Sequence, residues 1–87
     1  MKIEISKKFK KDTASLSSEA QKKIFVLLSN IEAAEDMTGF DVTKMVGYSN
    51  YYRIRMGIYR LGYKLEQDGS LKFERVAKRD EIYKIYP

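Results

Sequence analysis

The sequence predicts a single α+β domain over residues 1–87: an N-terminal strand, two helices, and then a three- to four-stranded antiparallel sheet with the helices packed on one face. Three patterns predict it. Residues 2–5 alternate between polar and apolar, residues 18–31 repeat apolar side chains at helical spacing, and residues 51–65 alternate with period two.

Length and composition limit the class of protein. A chain of 87 residues, 44% hydrophobic and 33% charged, fits one folded domain. No apolar run approaches the roughly 18 residues that span a bilayer, and residues 1–5 lack a signal-peptide core, so a cytoplasmic location is expected. The sequence has no cysteine and no histidine, which excludes disulfides and thiolate chemistry and removes the commonest general base. We therefore expect neither a metal nor a cofactor.

The first half of the chain is predicted to supply the strand and the helices. Residues 2–5 form the short strand, and Ser6 is placed to cap a helix over residues 7–13. Residues 18–21 fit a capping box that starts the longest helix. Its inward stripe comprises Ala20, Ile24, Leu27, Leu28 and Ile31. Phe25 and Val26 widen the apolar surface beyond that stripe, which indicates that a partner covers the far side.

Residues 51–65 are predicted to form a hairpin that turns at Gly57-Ile58. With a two-residue loop, Arg55 lies opposite Arg60 and directly opposed residues share one side of the sheet. The core side then carries Tyr52, Ile54, Met56, Tyr59, Leu61 and Tyr63. The other side, called the arginine face below, carries Arg53, Arg55 and Arg60, beside Gly62.

The arginine face has two interpretations. It is either a solvated outer surface or an anion site, most plausibly for phosphates, which guanidinium groups bind with paired planar donors. Like charges directly across a ladder destabilise a sheet by about 0.2–1 kcal/mol, so three converging arginines favour the anion site. The charge distribution agrees, since all five arginines and all seven tyrosines lie in residues 41–87. The net charge of +5 predicts an acidic partner, either nucleic acid or protein.

The C-terminal part is predicted to complete the sheet. Residues 41–48 are a connection into the hairpin, with Lys44 the basic residue nearest its entrance. Residues 71–77 form a third strand, in which a change of apolar parity predicts a bulge near Arg75. Residues 78–87 form either a last strand or a helical turn. In a turn, Arg79 and Tyr83 are neighbours at i, i+4.

With these segments placed, the chain resembles the RelE/ParE toxins of bacterial type II toxin–antitoxin systems over nearly its whole length. The resemblance is carried by Tyr52-Arg53-Ile54-Arg55, by Ile58-Tyr59-Arg60-Leu61 and by Arg75-Val76-Ala77-Lys78-Arg79-Asp80-Glu81-Ile82-Tyr83. It implies an α+β fold of strand, helices and sheet. It also implies an acidic, partly disordered antitoxin that forms a hetero-oligomer with the toxin.

The RelE branch, which we favour, implies a metal-independent endoribonuclease that cuts mRNA in the ribosomal A site. The implied chemistry is attack of a 2′-hydroxyl on its neighbouring phosphate. By position, the catalytic residues correspond to Arg55, Arg60, Arg79 and Tyr83. Arg53 also corresponds to the family's site by position and is predicted to bind RNA, together with the basic residues Lys44, Arg75 and Lys78.

Two alternatives stay open. The ParE branch implies inhibition of DNA gyrase without enzymatic activity, and a plain basic RNA- or DNA-binding module is a third interpretation. The arginines together with Tyr83 favour the ribonuclease. The RelE pattern has lysines where this chain has Arg53 and Arg55, and because arginine stays protonated, the sequence does not identify a general base.

Overall fold

A computed structural model describes all of residues 1–87, and its sheet has five strands. The strands are β1 (Ile3–Ile5), β2 (Val42–Lys44), β3 (Tyr51–Met56), β4 (Tyr59–Leu65) and β5 (Leu71–Lys78), and the helices are α1 (Lys7–Ala14), α2 (Ser18–Ala33) and α3 (Arg79–Ile85). The order is β1-β5-β4-β3-β2, with β1 parallel to β5 and all other pairs antiparallel. This confirms the predicted fold class. None of the helices is both long and apolar enough to cross a membrane.

The two N-terminal helices begin at serine caps. The Ser6 hydroxyl accepts a hydrogen bond from the Phe9 amide at 3.1 Å, so the predicted cap of α1 is confirmed. The capping box predicted at residues 18–21 is wrong by one residue, because Ser17 keeps an extended backbone and accepts from the Ala20 amide. The Gln21 side chain donates instead to the Leu16 carbonyl.

The hydrophobic core lies between the sheet and the α1–α2 pair. Ten buried residues form it: Phe9, Ile24, Leu28, Ile31, Ile54, Leu61, Tyr63, Leu71, Phe73 and Val76. The predicted stripe of α2 faces this core, with Leu27 only half-buried at its margin. Phe25 and Val26 point away from it and are each 60% exposed. The α1–α2 pair therefore covers one side of the sheet, and the arginine face lies on the opposite side.

The hairpin has the predicted register. Its pairs are Tyr52 with Tyr63, Arg53 with Gly62, Ile54 with Leu61, Arg55 with Arg60, and Met56 with Tyr59. Gly57 turns the chain with a φ of +59°, a conformation that glycine adopts without strain. The predicted bulge is confirmed, because Tyr63 pairs with Phe73 while Gly62 pairs with Arg75, leaving Glu74 as the extra residue.

The C-terminal tail forms a helix, and this helix packs on the side of the sheet opposite α1 and α2. Met45, Ala77, Ile82 and Tyr86 form a second small core there, with Tyr51 packed against it. The Tyr86 ring covers Gly62, and its hydroxyl donates to Glu74 Oε1 at 2.9 Å. Burial, and then this hydrogen bond, raise the pKa of Tyr86 above its usual value. The expectation that the helices share one face thus holds for α1 and α2 only.

We expect Gly62→Ala to lower the free energy of unfolding by about 1–3 kcal/mol, as overpacking does in a tight core. An added Cβ would lie under 3.0 Å from three carbons of the buried Tyr86 ring. Urea denaturation measures the change. Gly39→Ala is the matched control, because its Cβ would meet nothing within 4 Å. If Gly62→Ala and the wild type have equal free energies of unfolding, α3 shifts to accommodate the added methyl group without loss of stability.

Asp12 of α1 binds the part of β5 that extends past β1 and has no neighbouring strand on that side. Its carboxylate accepts from Arg75 Nε at 2.8 Å, from Arg75 Nη2 at 3.1 Å and from the Val76 amide at 3.1 Å. The hydrogen bond to Asp12 raises the pKa of the Arg75 guanidinium. Arg75 is thus engaged in joining a helix to the sheet.

Replacing Asp12 with asparagine is expected to lower the free energy of unfolding by about 1–3 kcal/mol, the usual cost of losing hydrogen bonds to a charged group. The substitution removes the negative charge and one of the two accepting oxygens. Thermal and urea unfolding check it, with Glu35→Gln as the control, because that exposed acid makes no side-chain hydrogen bond. If both variants melt alike, the Asp12–Arg75 pair contributes nothing to the fold.

Candidate functional site

The arginine face is built from two rows of residues that run across three strands. Arg55 lies opposite Arg60 on β4, and its amide donates to the Asp41 carbonyl at 3.0 Å on the other side. Thr43, Arg53 and Gly62 form the second row. Because opposed residues in a sheet share a side, both rows face outward. All of these residues except Gly62 line a cavity of about 230 Å³ together with Tyr83 of α3, called the outer cavity below.

Tyr83 and Arg53 are stacked at one wall of the outer cavity. The Arg53 Cζ atom lies 4.3 Å from the centroid of the Tyr83 ring, a cation–π geometry. Tyr83 remains 65% exposed, so its ring is still open to solvent. The Arg53 Nε atom is buried and has no hydrogen-bond partner. The stacked pair therefore offers an aromatic surface to solvent, while the buried Nε donor of Arg53 is left unsatisfied.

Arg60 is tied to the turn of the hairpin. Its Nη1 donates to the carbonyls of Gly57 and Tyr59, each at 2.8 Å. The Nε and Nη2 groups make no hydrogen bond within the chain, so they are available to an anion. Because two contacts hold the guanidinium, less side-chain freedom is lost when a ligand binds.

Asp41 is the acidic residue of the outer cavity, and the sequence analysis missed it. Its Oδ2 lies 3.9 Å from Arg55 Nε, with the two side chains 62% and 66% exposed. A carboxylate beside Arg55 offsets part of the repulsion between Arg55 and Arg60. Residues 41–48 were treated as a connection, although β2 (Val42–Lys44) lies within them. The alternation of Asp41, Val42 and Thr43 was the available signal, but it is short.

The other predicted site residues lie outside the outer cavity. Arg79 starts α3, one turn before Tyr83, and its amide donates to the Ile58 carbonyl at the hairpin tip. Lys44 pairs with Tyr52, and Lys78 pairs with Tyr59, so both lysines lie on the side of the sheet that faces α1 and α2. Arg75 is bound to Asp12. The proposed RNA-binding role of Lys44, Lys78 and Arg75 stays a prediction.

The outer cavity has the chemistry of a nucleotide phosphate site. Three guanidinium groups supply planar donors for phosphate oxygens, and an exposed tyrosine supplies a stacking surface for a base. The fold and this surface define the class: a small basic α+β protein with an arginine-lined cavity on the side of its sheet opposite α1 and α2.

Comparison with known proteins gives the family. No family model matches the chain. Toxin RelE3 of Methanocaldococcus jannaschii is 34% identical over 89 residues, covering all of both chains. The RelB–RelE antitoxin–toxin complex from Methanococcus jannaschii matches with a TM-score of 0.81 at 32% identity, covering 97% of this chain and 99% of that one. The archaeal RelE–RelB complex from Pyrococcus horikoshii OT3 matches with a TM-score of 0.69 at 28% sequence identity, covering 90% of this chain and 93% of that one.

The chain belongs to the RelE family of toxins of type II toxin–antitoxin systems. This confirms the predicted family. The P. horikoshii relative is archaeal, so the likeness is not confined to bacterial members.

Proposed function

We propose that this protein is a ribosome-dependent mRNA endonuclease that inhibits translation by cutting the message in the ribosomal A site. The observation that carries the proposal is the convergence of Arg53, Arg55 and Arg60 with Tyr83 on one outer cavity. The reaction is attack of a 2′-hydroxyl on the adjacent phosphate, which releases a 5′-hydroxyl. The ribosome and its message are the cytoplasmic target.

Each side chain has a role that its contacts support. Arg55 and Arg60 bind the scissile phosphate and stabilise the charge that develops on it. Arg60 is suited to this because its guanidinium is already fixed by two carbonyls. Tyr83 stacks on a base with the ring surface that Arg53 leaves open. Arg79, whose amide is bound to the Ile58 carbonyl at the hairpin tip, is assigned to the leaving oxygen.

Primer extension on a reporter mRNA in a translating extract tests the proposal. We expect discrete new 5′ ends that require both the toxin and translating ribosomes. An intact message would contradict the endonuclease and make the arginine face a docking surface. In that case, a gyrase supercoiling assay would test the ParE-like alternative.

We also infer a cognate acidic antitoxin that forms a hetero-oligomer with this chain. The similar M. jannaschii and P. horikoshii proteins were solved as complexes with RelB, and the net charge of +5 favours an acidic partner. The antitoxin covers the arginine face or displaces α3, and the exposed Phe25 and Val26 supply additional apolar contact area. A structure of the complex with Arg55, Arg60 and Tyr83 unmoved and open to solvent would contradict direct occlusion.

A further inference from the structure

One carboxylate, that of Asp41, lies among the cationic and hydroxyl groups of the outer cavity. We propose that Asp41 is the general base of the cleavage reaction, accepting the proton of the attacking 2′-hydroxyl. It rests on the proposed endonuclease function and supplies the general base that the sequence alone does not identify.

The composition of the outer cavity leaves few other proton acceptors. Arginine cannot be deprotonated in a protein, which excludes Arg53, Arg55 and Arg60. Thr43 and Tyr83 contribute hydroxyl groups, each of which supplies an O–H donor and acceptor lone pairs but no anionic oxygen. The chain has no histidine and no cysteine. A carboxylate is the one side-chain group in this cavity that can take a proton directly.

The strand order places Asp41 and Arg60 on opposite sides of Arg55, an arrangement compatible with an in-line reaction at a phosphate bound there. Asp41, directly before β2, is hydrogen-bonded through its carbonyl to Arg55 of β3, which pairs with Arg60 of β4, so the three residues lie in one row. Neighbouring strands are about 4.8 Å apart, so roughly 10 Å separates the first and last backbones of the row. A phosphate held over Arg55 can then receive its nucleophile from the Asp41 side. Its leaving oxygen faces Arg60 and the start of α3, as an in-line displacement requires.

Contacts around Asp41 position its carboxylate without occupying it. Its backbone carbonyl is fixed by the Arg55 amide at 3.0 Å. The distance of 3.9 Å between Oδ2 and Arg55 Nε is an ion-pair distance and too long for a hydrogen bond. Both side chains are more than half exposed, so the pair is weak and the carboxylate can reach a substrate hydroxyl.

In the proposed step, each bond that forms is matched by a bond that breaks, and each proton has an acceptor. The 2′-oxygen forms a bond to phosphorus and gives its proton to the Asp41 carboxylate. The bond between phosphorus and the 5′-oxygen breaks, and that oxygen takes a proton from water. The products are a 2′,3′-cyclic phosphate and a 5′-hydroxyl end. Asp41 then returns its proton to the solvent, and no oxidant or further reactant is needed.

The test is single-turnover cleavage of a reporter mRNA bound to purified ribosomes, measured with wild type and Asp41→Asn across the acidic and neutral pH range. We expect Asp41→Asn to lower the rate constant by about 10²–10⁴-fold, the usual contribution of a general base. The toxin concentration for half-saturation should stay unchanged. The wild-type rate should fall toward acidic pH, as expected of general-base catalysis, and this fall should be absent in Asp41→Asn.

Control variants separate the loss of a general base from the loss of a negative charge. Glu35→Gln removes an equal charge outside the outer cavity and should leave rate and pH profile unchanged. Asp41→Glu should recover part of the activity, because it restores a carboxylate. A thermal melt confirms that Asp41→Asn is folded.

Three outcomes would overturn the assignment. They are an unchanged rate in Asp41→Asn, a reduced rate that keeps the fall toward acidic pH, and an increased rate. The second would make Asp41 a counter-ion that positions Arg55, and the third would make it a competitor of the phosphate. If the wild type itself leaves the message intact, the proposed function fails, which is a distinct result.

Discussion

Arg60→Ala is expected to reduce mRNA cleavage by about 10²–10³-fold and to abolish growth arrest, while the protein stays folded. A fixed donor aimed at developing charge contributes this much to a reaction of this kind. Arg60 is such a donor, because Nη1 is bound to the carbonyls of Gly57 and Tyr59 while Nε and Nη2 remain free. The measurement is primer extension on the reporter mRNA, together with growth after induction of the toxin.

Two variants isolate the role of Arg60 from net charge. Lys22→Ala removes one positive charge from the exposed side of α2 and should leave cleavage unchanged. Arg60→Lys keeps the charge but loses the planar paired donors, so its activity should lie between Arg60→Ala and wild type. If Arg60→Ala is inactive but also melts at a much lower temperature, its carbonyl contacts at the turn serve the fold, and the catalytic role is contradicted.

Removal of the Tyr83 ring should have the second-largest effect on activity. Base–aromatic stacking contributes about 1–3 kcal/mol, so we expect Tyr83→Ala to lower cleavage at limiting toxin by about tenfold to a hundredfold. The ring is 65% exposed, so stability should change little. Tyr83→Phe keeps the stacking surface and should keep most of the activity. The same primer-extension assay measures both variants.

The comparison of the two Tyr83 variants also tests the stack with Arg53. That stack uses the ring surface and not the hydroxyl, so Tyr83→Phe preserves it. If Tyr83→Phe is as inactive as Tyr83→Ala, the hydroxyl takes part in the chemistry and the stacking role is wrong.

The sequence was sufficient to predict the hairpin and its arginine face. Period-two alternation around Gly57 specifies a single register, because a slip of one residue would move Ile54 and Leu61 out of the core. The bulge was predictable for the same reason, since Phe73 and Val76 cannot share a face without an extra residue between them. These features depend on local patterning, which the sequence shows directly.

Features that depend on tertiary contacts were not predictable. β2 has three residues, too few for a clear alternation, so Asp41 and Thr43 were missed as members of the site. The tail could have been a strand or a turn. Its helical state depends on packing of Ile82 and Tyr86 against Met45 and Ala77. The position of Arg75 likewise depended on Asp12, which is 63 residues away in sequence.

In the proposed reaction, the outer cavity holds an RNA phosphate for attack by the neighbouring 2′-hydroxyl of the same strand. The most direct test of this reaction uses purified ribosomes and two synthetic mRNAs, identical except for a single 2′-deoxynucleotide at the cut located by primer extension. We predict that the all-ribose message is cut and that its new end can be phosphorylated by polynucleotide kinase without prior phosphatase treatment. The 2′-deoxy message should stay intact at that position. Cleavage of the 2′-deoxy message at an equal rate would contradict the proposed reaction.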